Sequence, residues 1–155
     1  MKKVLIVFTM FVMCASCNNF SNSNNSKNTE ETDDTPSQEL IEYANQYHLN
    51  IDTTKTYDLN IKVLQTLDDN DCLAHECSNK QYGWYNGQLI YYMSSDMLYD
   101  DKIVKEKAYL IGTYKYKTID TLRKYRTVPF YCEINEYENL KKDGFFDFII
   151  EIQDY

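Results

Sequence analysis

The chain contains 155 residues, of which 43% are hydrophobic, and it carries a formal net charge of −8. This length supplies one domain rather than several, and the acidic balance disfavours a protein that binds nucleic-acid phosphates. Glycine and proline are scarce, with four and two residues, whereas tyrosine is abundant with 15, a composition that favours strands over loops.

The N-terminal segment has the pattern of an export signal. Two lysines precede an apolar run from Val4 to Met13, which is shorter than the ~20 residues that a membrane-spanning helix needs. Small residues stand directly before Cys17, as cleavage after export requires. We therefore expect residues 1–17 to be a removable signal rather than part of the fold.

The residues around Cys17 resemble the lipobox of bacterial lipoproteins. Cys14, Ala15 and Ser16 occupy the three positions before Cys17, with Cys14 at a position where leucine is usual, as in the looser lipoboxes of some Gram-negative groups. The resemblance implies a small Gram-negative lipoprotein whose Cys17 carries palmitate-type acyl chains, which anchor the protein in membrane lipid. Asparagine rather than aspartate follows Cys17, which implies the outer membrane, on its periplasmic or surface side. An ordinary secretory signal is the alternative.

Residues 18–35 have the composition of a flexible tether. Apart from Lys27 they are asparagine, serine, threonine and acidic residues with Phe20 as the one large apolar side chain, so they cannot offset the entropy of folding. A flexible chain of this length spans ~20 to 25 Å on average. Residues 36–155 are then expected to form a single β-rich domain.

Hydrophobic periodicity within residues 36–155 predicts strands and short helices. Thr35 and Pro36 suit the start of a helix, and apolar residues alternate with polar ones from Tyr57 to Leu67, as in a half-buried strand. Asn86 and Gly87 give the signal of a two-residue hairpin. The other predicted strands are Cys72–Ser78, Tyr82–Tyr85, Gln88–Met93, Lys105–Thr118, Arg126–Ile134 and Phe146–Gln153, with a helical turn in Ser94–Asp101 and a helix over Asn135–Lys142.

The order of these elements resembles an OB-fold barrel across Tyr57–Ile134. Three strands, a short helix and two further strands follow one another, and Gly112 stands where such barrels carry a glycine in the fourth strand. The resemblance implies a mainly β fold, either a small antiparallel barrel or a strongly curved sheet, with a short N-terminal helix. An α+β arrangement similar to cystatins, with a helix packed on a curved antiparallel sheet, is the alternative.

Basic residues are concentrated in one stretch of this acidic chain. Eight of the 16 lysines and arginines lie between Lys102 and Arg126, and Lys115 and Lys117 alternate with tyrosines. Such interleaving can bind nucleic acid in OB-folds, but the export signal and the acidic remainder argue against that partner. Two interpretations remain: the lysines form a solvated face over buried tyrosines, or the hairpin attracts an anionic glycan, lipid headgroup or protein.

Aromatic residues are concentrated around the predicted Asn86-Gly87 hairpin. Adjacent residues of a strand point to opposite faces, so some of these rings must lie on the outer face. Exposed aromatic side chains with a polar tip bind sugars or proteins, and cross-strand stabilisation of the hairpin is the alternative. We therefore name Trp84, Tyr85, Tyr92, Lys115 and Lys117 as candidate ligand-binding residues.

Three cysteines remain after removal of the signal and lipidation of Cys17. In a regular strand Cys72 and Cys77 lie ~16 Å apart, whereas a disulfide needs Cα atoms within ~7 Å. We therefore expect any disulfide to join Cys132 to one of them, and Cys77–Cys132 is the candidate pair. Three buried thiols are the alternative. A zinc site at Cys72, His75 and Cys77 is disfavoured by the same strand geometry.

The chain lacks the short signatures of common hydrolases and nucleotide-binding enzymes. We therefore expect no enzymatic activity, no cofactor and no metal. The favoured function is a membrane-anchored envelope lipoprotein that acts as a non-enzymatic binding or structural module for a glycan, peptide or protein partner. The alternatives are an inhibitor or immunity lipoprotein with an acidic surface, and a small hydrolase with a dispersed site.

Overall fold

The computed structural model describes residues 35–118 and 124–155 of the chain. The expected signal peptide, the expected lipidation site Cys17 and the tether up to residue 34 lie outside the described residues. Among the helices that are described, none has the length and apolar character needed to cross a membrane.

Three helices and eight strands make up the described part of the chain, so the expectation of a mainly β fold is confirmed. In chain order the elements are α1 (Gln38–Ala44), β1 (Tyr47–Leu49), β2 (Tyr57–Asp58), β3 (Ile61–Asp68), β4 (Asp71–Glu76), β5 (Leu89–Met93), β6 (Ile103–Val104), β7 (Lys107–Lys117), β8 (Tyr125–Glu133), α2 (Ile134–Lys142) and α3 (Phe145–Gln153). The N-cap of α1 is Ser37, whose Oγ accepts a hydrogen bond from the Leu40 N–H at 3.3 Å. Thr35, the cap expected from the sequence, lies two residues earlier.

All eight strands belong to one mixed sheet with the order β1-β7-β8-β5-β4-β3-β6, and β2 pairs with a separate stretch of β7. β5 and β8 run parallel, with Tyr91 beside Phe130. The expected antiparallel barrel is therefore wrong in two respects, because the sheet contains a parallel pair and is not closed. The parallel pair arises because the chain leaves β5 for β6 at the far edge, then returns through β7 and inserts β8 beside β5.

The two faces of the sheet carry separate hydrophobic cores. β5 divides its side chains between them, as the two-residue period of a strand requires. The helix-side core contains Ala44, Tyr47, Leu73, Tyr91, Met93, Ile111, Tyr114, Val128, Phe130, Cys132, Tyr137, Phe146, Ile149 and Ile152. The opposite core contains Leu59, Ile61, Val63, Cys72, Ala74, Ile90, Tyr92, Leu98, Val104 and Ala108. The segment Ser94–Asp101, expected as a helical turn, is irregular and buries Leu98 in this second core.

A bulge in β7 brings β1 against its edge. The register moves by one residue between Leu110 and Gly112, and Gly112 has φ +150°, a conformation that favours glycine. A Cβ atom at Gly112 would overlap the backbone carbonyl oxygen of His48. The glycine therefore permits the close approach of β1 and β7.

The C-terminal segment is a helix and not the strand expected from its alternating residues. Phe146, Ile149 and Ile152 are buried, whereas Ile150 is 48% exposed, as residues three apart on a helix require. The end of α3 is tied to the rest of the fold, because Gln153 Nε2 donates to the backbone oxygens of Ala44 at 2.7 Å and Tyr47 at 2.6 Å.

Candidate functional site

Residues 77–88, which connect β4 to β5, form a folded loop that we call the aromatic loop. The hairpin expected around Asn86-Gly87 is not formed, because the chain closes earlier through a bridge between Asn79 and Trp84. The Ser78 N–H donates to the Trp84 oxygen at 2.8 Å. The Asn79 side chain accepts from the N–H groups of Gln81 at 3.0 Å and Tyr82 at 3.2 Å. Side-chain capture of the backbone thus replaces a strand ladder.

The base of the aromatic loop is tied to the sheet. The Cys77 N–H donates to the Asn60 oxygen at 2.8 Å, and the Tyr85 hydroxyl donates to Asn60 Oδ1 at 3.1 Å. Gly87 lies so close to Glu76 that an added Cβ would be 2.7 Å from the Glu76 oxygen. These contacts fix the loop before any ligand arrives, which lowers the entropy cost of binding.

The aromatic loop displays two rings to solvent. Tyr82 and Trp84 are 64% and 58% exposed, and their ring centroids are 5.5 Å apart with 31° between the planes. The same loop carries four exposed polar side chains: Lys80, Gln81, Asn86 and Gln88. The arrangement offers apolar ring faces for stacking and amides for hydrogen bonds.

The end of the β7–β8 hairpin, residues 115–117 and 124–127, forms a second exposed feature that we call the cationic arm. It carries Lys115, Lys117, Lys124 and Arg126, all exposed. The Lys115 ammonium lies 4.8 Å from the centroid of the Tyr125 ring, a cation–π contact. Within the described ranges, the two ion pairs are Lys62–Asp101 and Lys107–Asp58, and neither involves the arm.

The aromatic loop and the cationic arm emerge from the same edge of the sheet. Since β5 and β8 are parallel with Tyr91 beside Phe130, Leu89 and Val128 fall in one row across the sheet. On the side of this row where β5 and β8 begin, the aromatic loop leads into β5. On the same side, the cationic arm extends β7 and β8 past the start of β5. Neighbouring strands lie about 4.8 Å apart, so the bases of the two features are one strand spacing from each other.

A pocket of about 470 Å³ adjoins the cationic arm on β7. It opens between β1 and β2, which pair with β7 at different places and leave its middle uncovered. His48, Asn50, Asp52, Tyr57, Leu110 and Thr113 line it, together with backbone at Leu49 and Gly112. The lining combines one exposed aromatic ring with amide, imidazole and hydroxyl groups and the Asp52 carboxylate, which suits a polar ligand.

A second pocket, of about 570 Å³, lies where β8 passes into α2 and includes Glu133. Glu133 Oε2 accepts hydrogen bonds from the Ser94 hydroxyl at 2.9 Å, the Ser95 N–H at 2.8 Å and the Ser95 hydroxyl at 2.9 Å. Burial raises the pKa of Glu133, but these hydrogen bonds outweigh burial and the net pKa is lowered. The saturated carboxylate joins the segment after β5 to the start of α2, which is a structural role.

A chain of hydroxyl groups runs through the helix-side core to Asp71. The Tyr91 hydroxyl donates to Asp71 Oδ2 at 2.7 Å and lies 3.3 Å from the Tyr47 hydroxyl, which in turn donates to Tyr43 at 3.3 Å. Burial raises the pKa of Asp71, although the bond from Tyr91 opposes that shift. Burial likewise raises the pKa of Tyr91 and Tyr47. This network fixes the core.

The predicted ligand-binding residues have different fates. Trp84 is exposed in the aromatic loop, and Lys115 and Lys117 are exposed on the cationic arm, on the opposite side of β7 from the core tyrosines. Tyr85 is half-buried and anchors the loop. Tyr92 is fully buried in the second core. Both faces of β5 are covered, so neither Tyr91 nor Tyr92 is exposed.

The cysteines are separate in space. Cys72, Cys77 and Cys132 are free thiols, so the structure does not join Cys77 to Cys132. Cys132 pairs in register with Met93 at the end of β5, whereas Cys77 follows the strand end at which His75 pairs with Leu89. The length of β5 separates them. In the part of the chain that the structure describes, no three histidine, cysteine or acidic residues are grouped to hold a metal.

Sequence reasoning missed Tyr125 and Glu133 as residues of interest, and it counted Tyr82 among the aromatic residues of the hairpin without naming it as a ligand-binding residue. Tyr82 was expected in a strand, and only the capture of the loop by Asn79 exposes it beside Trp84. Tyr125 stands within the basic stretch, and its contact with Lys115 follows from the register of β7 and β8. Glu133 meets serines 38 and 39 residues away, which no local pattern announces.

Comparison with protein-family models finds no match for this chain, and searches of curated proteins and of solved structures find no significant similarity. The site therefore has to be interpreted from its own geometry.

Proposed function

We propose that this protein is a lipid-anchored envelope lipoprotein that binds a glycan, without chemical change, on the aromatic loop. The observation that carries the proposal is the pair of exposed rings, Tyr82 and Trp84, on a loop held by its own hydrogen bonds. The C–H face of a sugar ring is apolar while its rim is polar, so it matches a ring surface bordered by amides.

The composition of the aromatic loop favours a glycan over a protein partner. Protein hot spots combine aromatic rings with a packed apolar core. The loop instead contains asparagine and glutamine together with Tyr82 and Trp84, and none of its residues is leucine, isoleucine, valine or methionine.

The membrane anchor in this proposal rests on the N-terminal sequence. The lipobox-like residues before Cys17 mark Cys17 as the acceptor for acyl chains, and two or more chains would hold the protein stably in a bilayer. The tether after Cys17 would keep the domain a short distance from the lipid surface. We place the protein in the outer membrane on the same grounds.

Trp84 is the only tryptophan of the chain, so intrinsic fluorescence reports directly on the aromatic loop. Glycans from the envelope of the producing cell would be titrated against the protein while acrylamide quenching of Trp84 is followed. We expect a bound glycan to shield Trp84 from acrylamide and Tyr82→Ala to weaken binding about ten-fold, equal to ~1.4 kcal/mol. Tyr155→Ala, which removes an exposed ring elsewhere, is the matched control.

Two results would overturn the proposal. The first is that no glycan protects Trp84 from quenching. The second is that Tyr82→Ala and Tyr155→Ala bind alike. The anchor has a separate test: the intact mass of membrane-extracted protein should begin at Cys17 with acyl chains attached, and Cys17→Ser should release the protein from the membrane.

A further inference from the structure

We infer that the glycan is acidic, bearing carboxylate or phosphate groups, and that the cationic arm holds these groups beside the aromatic loop. This inference rests on the proposed function and adds the class of ligand. It is carried by three observations: the concentration of exposed cations on the arm, the common edge from which arm and loop emerge, and the pocket that continues the arm along β7.

The charge of the cationic arm stands out in this chain. Its four cations are exposed, and the described parts of β7 and β8 contain no acidic residue between Lys107 and Cys132. Among the described residues, the lysines in ion pairs are Lys62 and Lys107, outside the arm. A concentration of exposed cations attracts an anion.

Lys115 and Lys117 share one face of β7. They alternate with Tyr114 and Tyr116, which pack into the helix-side core, so these two lysines point away from the helices, whereas Arg126 pairs with Tyr116 and lies on the other face. The aromatic loop leaves the same edge of the sheet and leads into β5, the neighbour of β8. One ligand can therefore span both features.

The Tyr125 ring holds Lys115 in place for an incoming anion. The ammonium stays within 4.8 Å of the ring centroid while the lysine remains exposed. A cation over a ring loses less side-chain freedom on binding than a free lysine does. The exposed Tyr125 ring also provides a stacking surface on the arm itself.

The pocket beside the arm favours a chain-like ligand over a flat membrane surface. Thr113 lines the 470 Å³ pocket and is two residues from Lys115, on the same face of β7. A polymer could pass from the pocket along Lys115 and Lys117 towards the loop. An anionic bilayer would contact the lysines but could not enter the pocket.

The test compares an acidic glycan with its neutral counterpart on the full-length protein. Oligogalacturonate and the same oligomer with its carboxylates reduced to alcohols would be titrated by Trp84 fluorescence, at low and high salt. We expect the acidic form to bind at least ten-fold more tightly at low salt, and the preference to fall as salt screens the charges. The double variant Lys115→Gln with Lys117→Gln should lose this preference.

The double variant Lys141→Gln with Lys142→Gln is the matched control, because it removes the same charge from exposed positions of α2. It should keep the preference for the acidic form. Equal binding of the acidic and neutral forms, both dependent on Tyr82, would overturn this inference and leave the proposed function standing. Absence of any Tyr82-dependent binding would overturn the proposed function itself.

Vesicles containing phosphatidylglycerol provide a second test. Binding to these vesicles that depends on Lys115 and Lys117, with no response of Trp84 to either glycan, would identify the arm as a lipid contact and overturn the inference. Thermal unfolding of both double variants should match the unaltered protein, since all four lysines are exposed and surface charges contribute little to stability.

Discussion

The rings of Tyr91 and Tyr114 stack nearly parallel, with centroids 3.9 Å apart and 14° between the planes, although their strands are separated by β8. Phe130 on β8 meets Tyr91 edge-on at 4.8 Å. The three rings join β5, β7 and β8 on the helix side of the sheet. This packing holds the Tyr91 hydroxyl against Asp71, and so connects the middle of the sheet to the turn between β3 and β4.

Tyr91→Phe should lower the free energy of unfolding by about 1–3 kcal/mol, because it keeps the ring but leaves a buried carboxylate without its donor. Urea denaturation followed by circular dichroism measures the change. Tyr125→Phe removes a hydroxyl from an exposed ring and should leave stability unaltered. Equal stability of the two variants would show that the Tyr91–Asp71 bond contributes nothing.

Asp71→Asn should become relatively more stable as pH rises. Burial raises the pKa of Asp71 above its usual value of 3.8, so the unfolded state releases this proton at lower pH than the folded state does. The stabilisation that protonated Asp71 contributes is present below the pKa of this group in the unfolded state. It is lost as pH rises through the pKa of this group in the folded state. Unfolding energies of both proteins between pH 3 and 7 would reveal a widening gap; Asp69→Asn, at an exposed position, should show none.

Glu133→Gln should have the opposite pH dependence. Hydrogen bonds from Ser95, Ser94 and Asn135 outweigh burial and lower the pKa of Glu133, so its contribution is present above the unfolded pKa and is lost as pH falls through the folded pKa. At neutral pH we expect a loss of about 2 kcal/mol. Denaturant titrations should show this loss shrinking towards pH 3, with Glu138→Gln, exposed on the same helix, as the control.

Gly112→Ala should destabilise the fold by about 2–4 kcal/mol, because the new Cβ would force β1 away from β7 in a well-packed region. Gly144→Ala is the comparison, since Gly144 has φ +75° but open space around its Cβ position. That change lowers the free energy of unfolding only because alanine disfavours a positive φ, by about 1 kcal/mol. Melting temperatures of the two variants would separate crowding from backbone conformation, and an equal loss would contradict the close approach at His48.

The three cysteines of the domain should react with iodoacetamide in a fixed order. Cys77 is half-buried and should be labelled first. Cys72 and Cys132 are fully buried, and burial raises the pKa of Cys72 to about 12 and that of Cys132 further, so both should wait for unfolding. Peptide mapping by mass spectrometry gives the order; protection of Cys77 and Cys132 together without reductant would indicate the bridge that the structure lacks.

The sequence predicts the strands of this fold better than their arrangement. β7 and β8 follow from a long alternation between Lys105 and Ile134, because one face of each strand is buried. The pattern alone does not distinguish a strand from a helix at α3, because Phe146 and Ile152 fit both a two-residue and a three-residue period. Packing of this segment against α1 and α2 stabilises the helix. The parallel pairing of β5 with β8 depends on contacts about 40 residues apart, which local patterns do not encode.

The candidate site was predicted in its residues more than in its shape. Composition identified Trp84, Lys115 and Lys117 as chemically suited to binding. Their exposure depends on Asn79, whose side chain captures the loop backbone, and on the register that sets Lys115 near Tyr125. Asn-Gly at 86 and 87 favours a hairpin, but the tertiary bond from Tyr85 to Asn60 is one of the contacts that holds a different loop.

The outer strands of the sheet are very short: β1 has three residues, and β2 and β6 have two each. Long open strand edges are the usual starting points for aggregation between copies of a β protein. A neighbouring copy that approaches β1, β2 or β6 would find at most three residues of strand edge to pair with. Association between copies through these outer strands would therefore form few backbone hydrogen bonds.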